Sequence, residues 1–459
     1  MSRRKFVHAA RHFIEDSGLT LLFWRREFWT YTGTHYEKFD EGNPETMRLY
    51  IDKWHIENDA KTTMPIDNHS VHEIEARVKS LTFLATNQRV PGFKGTTAPA
   101  RQQPDDILTM RNGILDLRPC LRGEAPVLSA HTADWISTAC LPYDYDPDAK
   151  CPQWLAFLDT VLQKDTQRIN LLQEWFGYCC TYDTSHEKAM IFEGTGGNGK
   201  SQAIAVLESL VGRSNCSAVP LQNLGQRFQA FGTLGKLVNL CTETDEGAQV
   251  PLATLKNLIT GDDFQYERKG VDSFSAKPTA KFVFSMNNRP HISDNTNAIW
   301  RRLLVMPWTY EVPASERVLD LGRKIADTEL SGIFNWAVAG LRRLRRQGDF
   351  TQATAVVRAV ESYRSTGDPV RAVLTTFVED GDDTAFISRA DVWAKLYTQA
   401  AEINAELPSG YSLTRFATDV TRIFPRAVDT RRRTDKGQVR GWLRIKFKEK
   451  DANVAAQNK

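Results

Sequence analysis

The chain has no run of about 18 apolar residues, so a membrane-crossing helix is not expected. Its first residues, MSRRKFVHAARHF, are basic and amphipathic and lack the long apolar stretch of a secretion signal. Cysteine is sparse: there are seven, an odd number, and no two are spaced C-x-x-C. That pattern argues against a disulfide framework and a zinc ribbon, and it points to reduced thiols in a cytoplasmic setting. His69 and His72 could share one helix turn, but no partner ligands are nearby, so a polar helix surface explains them better than a metal. An excess of one charge is also missing. The 59 Lys and Arg nearly balance 56 Asp and Glu, for a net charge of +3. Any nucleic-acid surface must therefore be local. Internal repeats and low-complexity blocks are absent as well.

What is present is ordinary globular composition, 41% hydrophobic and 25% charged over 459 residues, enough for several domains. Residues 1–106 read as an α+β region. Within it LLFWRREFWTYTGTHYEKF alternates aromatic and polar residues around a Gly turn, a small-hairpin signal. PGFKGTTAPARQQPDD (91–106) has linker composition. ILTMRNGILDLR then predicts two short strands about Asn112-Gly113. Residues 107–186 become helical from Pro152, with Trp154, Phe157, Leu158, Val161 and Leu162 at helical spacing. Across 187–350 strand and helix alternate. KAMIF, KLVNLCTE and KFVFSMN are short apolar strands of the kind buried in a parallel sheet. The basic run Arg342–Arg346 ends a helix there and reads as a solvated helix terminus. Residues 365–450 give three helices and then two strands about TDKG, and 451–459 form a tail.

One stretch carries clear chemistry. GTGGNGKS (Gly194, Thr195, Gly196, Gly197, Asn198, Gly199, Lys200, Ser201) fits G-x-x-x-x-G-K-[ST] between a strand and a helix. The glycines let backbone N–H groups curl around a β-phosphate, and the helix N-terminus adds partial positive charge. Lys200 would reach the β- and γ-phosphates of ATP, and the Ser201 hydroxyl would ligate Mg2+. KLVNLCTETDEG ends an apolar strand in carboxylates, where magnesium and an attacking water need an acid. Glu243 is the first of them, and Asp245, two residues on, could assist through metal-bound water. KFVFSMNNRP ends a third strand in Asn287-Asn288. By itself that is ordinary turn chemistry, but third in this order Asn287 becomes a candidate γ-phosphate sensor.

A phosphate loop, an acid-ended strand, an Asn-ended strand and an arginine before a last strand together resemble the superfamily 3 helicases, ring ATPases of the AAA+ class. The resemblance is narrower to the poxvirus and phage-plasmid primase-helicase branch. RNGILDLR, YDYDPDAKCPQWLAFL, LLQEWFGYCC, LKNLITGDDFQYERKG, FSMNNRP and AIWRRLLVMPW carry it over 107–350, and the C-terminal part carries it more weakly. Thr242 stands before Glu243 where some relatives have a second acid. The resemblance implies an AAA+-like core with a helical collar before it and a winged-helix-like domain after it. It also implies ATP-driven DNA unwinding by a homo-oligomeric ring, most simply a hexamer. The family pattern favours Arg302 as the arginine that reaches a neighbouring subunit's ATP, with Arg301 as the alternative. It places a pore hairpin between the second and third strands, with Arg268-Lys269-Gly270 at the tip and Lys256 as a further contact. Phe264 and Tyr266 fit packing better than base stacking.

Residues 421–450 hold 11 Lys and Arg against 3 Asp and Glu, or +8, which exceeds the +3 of the whole chain. Arg431, Arg432, Arg433 and Lys436 fall at the expected hairpin tip, a phosphate-contact pattern for forked or duplex DNA. A nucleotide-switched initiator or DNA-loading protein would share every one of these motifs without unwinding DNA. A primase-helicase would add primer synthesis, yet only about 105 residues run to the end of the linker and no carboxylate set for two-metal chemistry stands out. A separate primase, polymerase or loader is a natural partner under the resemblance.

Overall fold

The computed structural model describes all residues except 1–2, 40–45, 63, 86–87, 96–103, 243–249, 270, 291, 293–296, 367, 404, 409, 435–436 and 449–459. The N-terminal part packs helices Arg3–Ser17, Thr46–Glu57 and Asn68–Leu81 around Phe6, Phe13, Ile51, Trp54, Ile74 and Val78. Beside them the aromatic stretch forms three antiparallel strands, Leu21–Trp24, Glu27–Tyr31 and Tyr36–Lys38, one more than a hairpin. Its first connection is the pair Arg25-Arg26, and the Gly-containing turn comes second. Both arginines have positive φ, 51° and 64°. A two-residue connection of this kind favours Asn-Gly, and each non-glycine residue held there costs on the order of 1–3 kcal/mol.

Part of the expected linker is ordered: Gly92–Phe93 pairs with Trp135–Ile136. The strands Ile107–Met110 and Gly113–Asp116 turn through Arg111-Asn112, one residue earlier than the Asn-Gly signal suggests. Asn112 acts from within that turn, accepting from the Tyr145 N–H at 2.9 Å and donating to its carbonyl at 3.0 Å.

Five parallel strands form the central sheet, in the order Cys216–Ser217, Val238–Cys241, Lys281–Met286, Ala189–Glu193, Leu303–Pro307. The three central strands are almost wholly buried, in keeping with their mainly apolar sequences. Asn239 sits fully buried in that apolar setting. It accepts from Ser217 Oγ and the Val219 N–H at 2.8 Å and returns a bond to the Val219 carbonyl at 2.9 Å, fixing the edge strand. On one face lie helices Pro152–Val161, Thr166–Cys180, Lys200–Val211 and Leu321–Gln347, and they share one continuous apolar core with the sheet. Glu329 caps the first of these helices, accepting from the N–H groups of Gln153 and Trp154 at 3.0 Å.

The run Arg342–Arg346 is solvated only in part: Arg342 and Arg346 are exposed, whereas Arg343 and Arg345 turn inward. Arg343 pairs with the fully buried Glu174 at 2.6 Å, and Arg345 bridges Asp106, at 3.0 Å, and Asp183. These carboxylates come from distant segments and need a cation because they are buried.

The C-terminal part has its own apolar cluster, including Val373, Phe377, Leu396, Phe416 and Trp442. Its order is helix Pro369–Phe377, strands Val378–Asp380 and Phe386–Ser388, helices Arg389–Glu402 and Leu413–Ile423, then strands Val428–Thr434, Gly437–Leu443 and Ile445–Phe447. Ser388 and Ser412 cap the second and third helices.

Candidate phosphate-binding site

The register of the sheet builds this site. Met286 and Pro307 both lie opposite Glu193, so Asn287 and Trp308 emerge level with Gly194 at the carboxyl edge of the strands. The chain then turns through Gly196, Gly197 and Gly199, with φ of 111°, 62° and 88°, and enters the helix at Lys200. A Cβ on Gly194 would meet Asn198 Nδ2 at 2.3 Å and the Trp308 carbonyl at 2.4 Å. A Cβ on Gly199 would meet Val161 at 2.8 Å, so the helical layer also dictates glycine. The Asn198 amide donates to the Trp308 carbonyl at 3.0 Å and holds the loop closed.

Lys200 is only 4% exposed. Its ammonium donates to the Gly194 carbonyl, to Asn198 Oδ1 at 3.3 Å and to Asn287 Oδ1 at 3.4 Å. All three acceptors are neutral. Burial pushes its pKa down, and the nearby charge of Glu193 opposes this. A buried cation resting on neutral acceptors beside a ring of left-handed glycines suits a phosphate chain. Ser201 is exposed in the first turn of this helix.

Glu193 and Arg289 were not singled out from the sequence, and they stand next to this cradle. Arg289 forms a two-bonded pair with the Glu193 carboxylate, one arm at 2.8 Å. It also donates to Ser362 Oγ at 2.9 Å and lies 5.2 Å over the Tyr363 ring. Arg317 is another neighbour that the sequence did not flag. Its guanidinium would be 2.5 Å from a Cβ on Gly197, and it is held by Glu311 at 3.0 Å and the Val312 carbonyl at 2.8 Å. The signal for Glu193 and Arg289 was position alone, next to the glycine loop and just past a strand end; Arg317 is ten residues past the last strand of the sheet and carries no such signal.

Glu243 and Asp245 lie outside the described residues, as do Gly270 and Lys436. The strand that leads to Glu243 ends at Cys241, two places from the loop strand in the sheet.

Arg301 and Arg302 lie at the opposite, amino edge of the sheet, since Leu303 pairs with Ala189. Arg302 is 8% exposed and points inward. It donates to the Ala298 carbonyl at 2.7 Å and to Glu187 at 2.6 Å. Arg301 is exposed, and its own carbonyl accepts from Lys188 at 2.7 Å. Of the two side chains, Arg301 is the one that faces solvent.

The strands Phe264–Arg268 and Val271–Ala276 form the expected hairpin. Tyr266 is fully buried and Phe264 packs on it with ring centroids 5.0 Å apart. Lys269 is exposed at the tip, whereas Arg268 reaches back to Glu27 of the N-terminal sheet. Lys256 is half-buried on helix Leu252–Thr260. In the C-terminal sheet Arg431, Arg432 and Arg433 are exposed on one strand, and Arg431 stands directly opposite Arg440. Like charges in direct cross-strand register destabilise a hairpin unless something neutralises them. Asp429 does so for Arg440, at 3.2 and 3.0 Å.

Among the described residues no group of three or more His, Cys, Asp and Glu could hold a metal ion, and no helix is long and apolar enough to cross a membrane.

Comparison with known proteins agrees with this architecture. Residues 25–163 match the family described as D5 N terminal like, and residues 192–302 match a family of unknown function, DUF5906. A protein of Invertebrate iridescent virus 3 named "Putative helicase 121R" is 26% identical over 140 residues, which are 28% of this chain and 15% of that protein. The A form apo structure of the NrS-1 C terminal region superposes with a TM-score of 0.50 at 12% identity, covering 95% of this chain and 98% of that one. A second A form apo structure of the same region gives 0.50 at 11%, with the same coverage. The structural likeness extends the shared fold over almost the whole chain. Taken with the order of the motifs, these matches support a likeness to the viral and phage superfamily 3 helicases.

Proposed function

We propose that the chain is an ATP-driven DNA helicase that works as a ring, most simply a hexamer, in replication of a phage, plasmid or other mobile element. The observation that carries this reading is the Lys200 ammonium, buried on three neutral acceptors from the glycine loop and the neighbouring strand end. ATP would place its phosphates against these groups, with Asn287 set to contact the γ-phosphate. Ser201 and Glu243 would hold Mg2+, which supplies charge neutralisation on the phosphates. Arg301 is the trans arginine in this reading, because Arg302 is occupied within its own subunit. Lys269 at the hairpin tip would face the translocating strand, while Arg268 beside it pairs with Glu27. Helices Arg389–Glu402 and Leu413–Ile423, followed by the antiparallel strands Val428–Thr434 and Gly437–Leu443 with Phe386–Ser388 paired to the latter, support a winged-helix-like domain whose arginines hold duplex or fork.

DNA-stimulated ATP hydrolysis tests the reading. Lys200→Ala should abolish it in a folded protein, and Glu243→Gln should bind ATP without turnover. Wild-type turnover by Lys200→Ala would remove the phosphate-loop assignment, and normal turnover by Glu243→Gln would move the acid to Asp245.

A further inference from the structure

A second feature lies away from the nucleotide cradle. Between the N-terminal three-stranded sheet and the hairpin Phe264–Ala276 is a cleft of about 570 Å³. Six cations line it: Arg25, Arg26, Lys38, Lys236, Arg268 and Lys277. They come from both walls, and the lining includes only two acids, Glu27 and Glu37. The rest of the chain is close to neutral, so this is a local concentration of positive charge. Aromatic rings are interleaved with it, namely Trp24, Trp29, Phe231 and Phe274. Arg25 lies 4.1 Å over Trp24 and 5.6 Å from the Phe274 centroid, so its guanidinium spans the two walls.

Three observations say this is more than a packing seam. Arg25 and Arg26 occupy a two-residue turn at left-handed φ, where Asn-Gly would be relaxed. Strain retained in order to aim two cations at one cleft points to a ligand. Trp24 is 5% exposed and lines the cleft, and its indole N–H has no hydrogen-bond partner among the described residues. Finally, Glu27 accepts from both Lys38, at 3.2 Å, and Arg268. One carboxylate thus links cations of the two walls, a place that a phosphate could take.

We infer that this cleft binds single-stranded DNA, with phosphodiesters on the cations and bases against the aromatic faces. The inference deepens the helicase reading and rests on it, adding a strand path between the N-terminal sheet and the flank of the hairpin. Single strand fits better than duplex because unstacked bases offer π-faces to the rings. Six cations also exceed what one mononucleotide engages.

The test uses the full chain and a fluorescent oligo-dT, with a duplex of equal length as the second arm, titrated without nucleotide over a range of salt. The variant Arg25→Asn, Arg26→Gly keeps the turn and relaxes it, so its melting temperature should equal or exceed wild type. Its affinity for oligo-dT should fall about tenfold or more at low salt, and its log–log salt slope should flatten by about 1.4, that is 0.7 per lost phosphate contact. Lys277→Ala, exposed on the opposite wall, should flatten the slope by about 0.7. Duplex affinity and DNA-independent ATP hydrolysis should not change. An unchanged oligo-dT slope in both variants would overturn the cleft assignment while leaving the helicase reading in place. Failure of the wild type to bind oligo-dT at all would overturn both.

Discussion

The Arg302 guanidinium lies 2.6 Å from the Glu187 carboxylate of the same chain, at the edge of the sheet opposite the glycine loop. The pair joins the start of the last strand to the segment entering the loop strand. It leaves Arg301 as the outward-facing member of the two.

The two arginines should therefore separate by experiment. Arg302→Ala loses the Glu187 pair and the bond to Ala298, and should lower stability by about 1–3 kcal/mol in denaturant unfolding. Arg301→Ala should leave stability unchanged and cost on the order of 10³-fold in ATP turnover. Mixing Arg301→Ala with Lys200→Ala subunits should restore part of that turnover, because an intact loop can then meet an intact arginine. Should freely exchanging mixtures recover nothing, arginine action across subunits is ruled out.

Arg289 neutralises Glu193 next to the Lys200 ammonium. In Arg289→Ala the freed carboxylate should draw Lys200 away from phosphate. The Michaelis constant for ATP is expected to rise about tenfold, with a smaller change in turnover number, and Arg289→Lys should recover part of it. An unaltered constant would show that the pair serves packing alone.

Burial pushes the Lys281 ammonium down to about 8, against opposing charge from Cys179, Asp183 and Cys180. The folded protein thus releases this proton near pH 8, whereas the unfolded chain holds it to about 10.4. Below about pH 8 the burial penalty is complete. Between the two values only the unfolded state keeps the proton, so this residue's contribution to stability rises with pH. The buried thiols of Cys179 and Cys180, pushed up by burial, work in the opposite sense; the charge of Lys281 lowers both, so a comparison with Lys281→Met reads Lys281 together with its effect on them. From about pH 7 to 10 the stability of wild type relative to Lys281→Met should improve by about 1–3 kcal/mol. A flat difference would mean that Lys281 titrates normally.

Truncation after Ser365 removes the C-terminal apolar cluster as a unit, since that cluster begins at Val370. ATP hydrolysis without DNA should persist. Duplex binding should weaken, and its salt slope should flatten by about 2.7 if Arg431, Arg432 and Arg433 each contact a phosphate. Equal slopes for the truncated and full-length proteins would mark these arginines as a solvated face.

The glycine loop and the buried strands were legible because their signals are local: φ-permissive spacing in one case, short apolar runs in the other. Asn287 was legible because strand order fixes where strand ends emerge. The inward turn of Arg302 was not legible, since its partner Glu187 is 115 residues away in the chain. The same holds for Arg289 and Glu193, 96 residues apart, and for the arginines that meet Asp106, Asp183 and Glu174. Arg25-Arg26 hid for a different reason: turn chemistry favours Asn-Gly, so the eye goes to Gly33 and the second turn.

Strand displacement on a forked DNA substrate tests the central claim most directly. Wild-type protein with ATP and magnesium should release the labelled strand, and Lys200→Ala, equally folded and equally able to bind the fork, should release none. Hydrolysis of ATP by wild type without any strand release, or release that Lys200→Ala sustains, would contradict it.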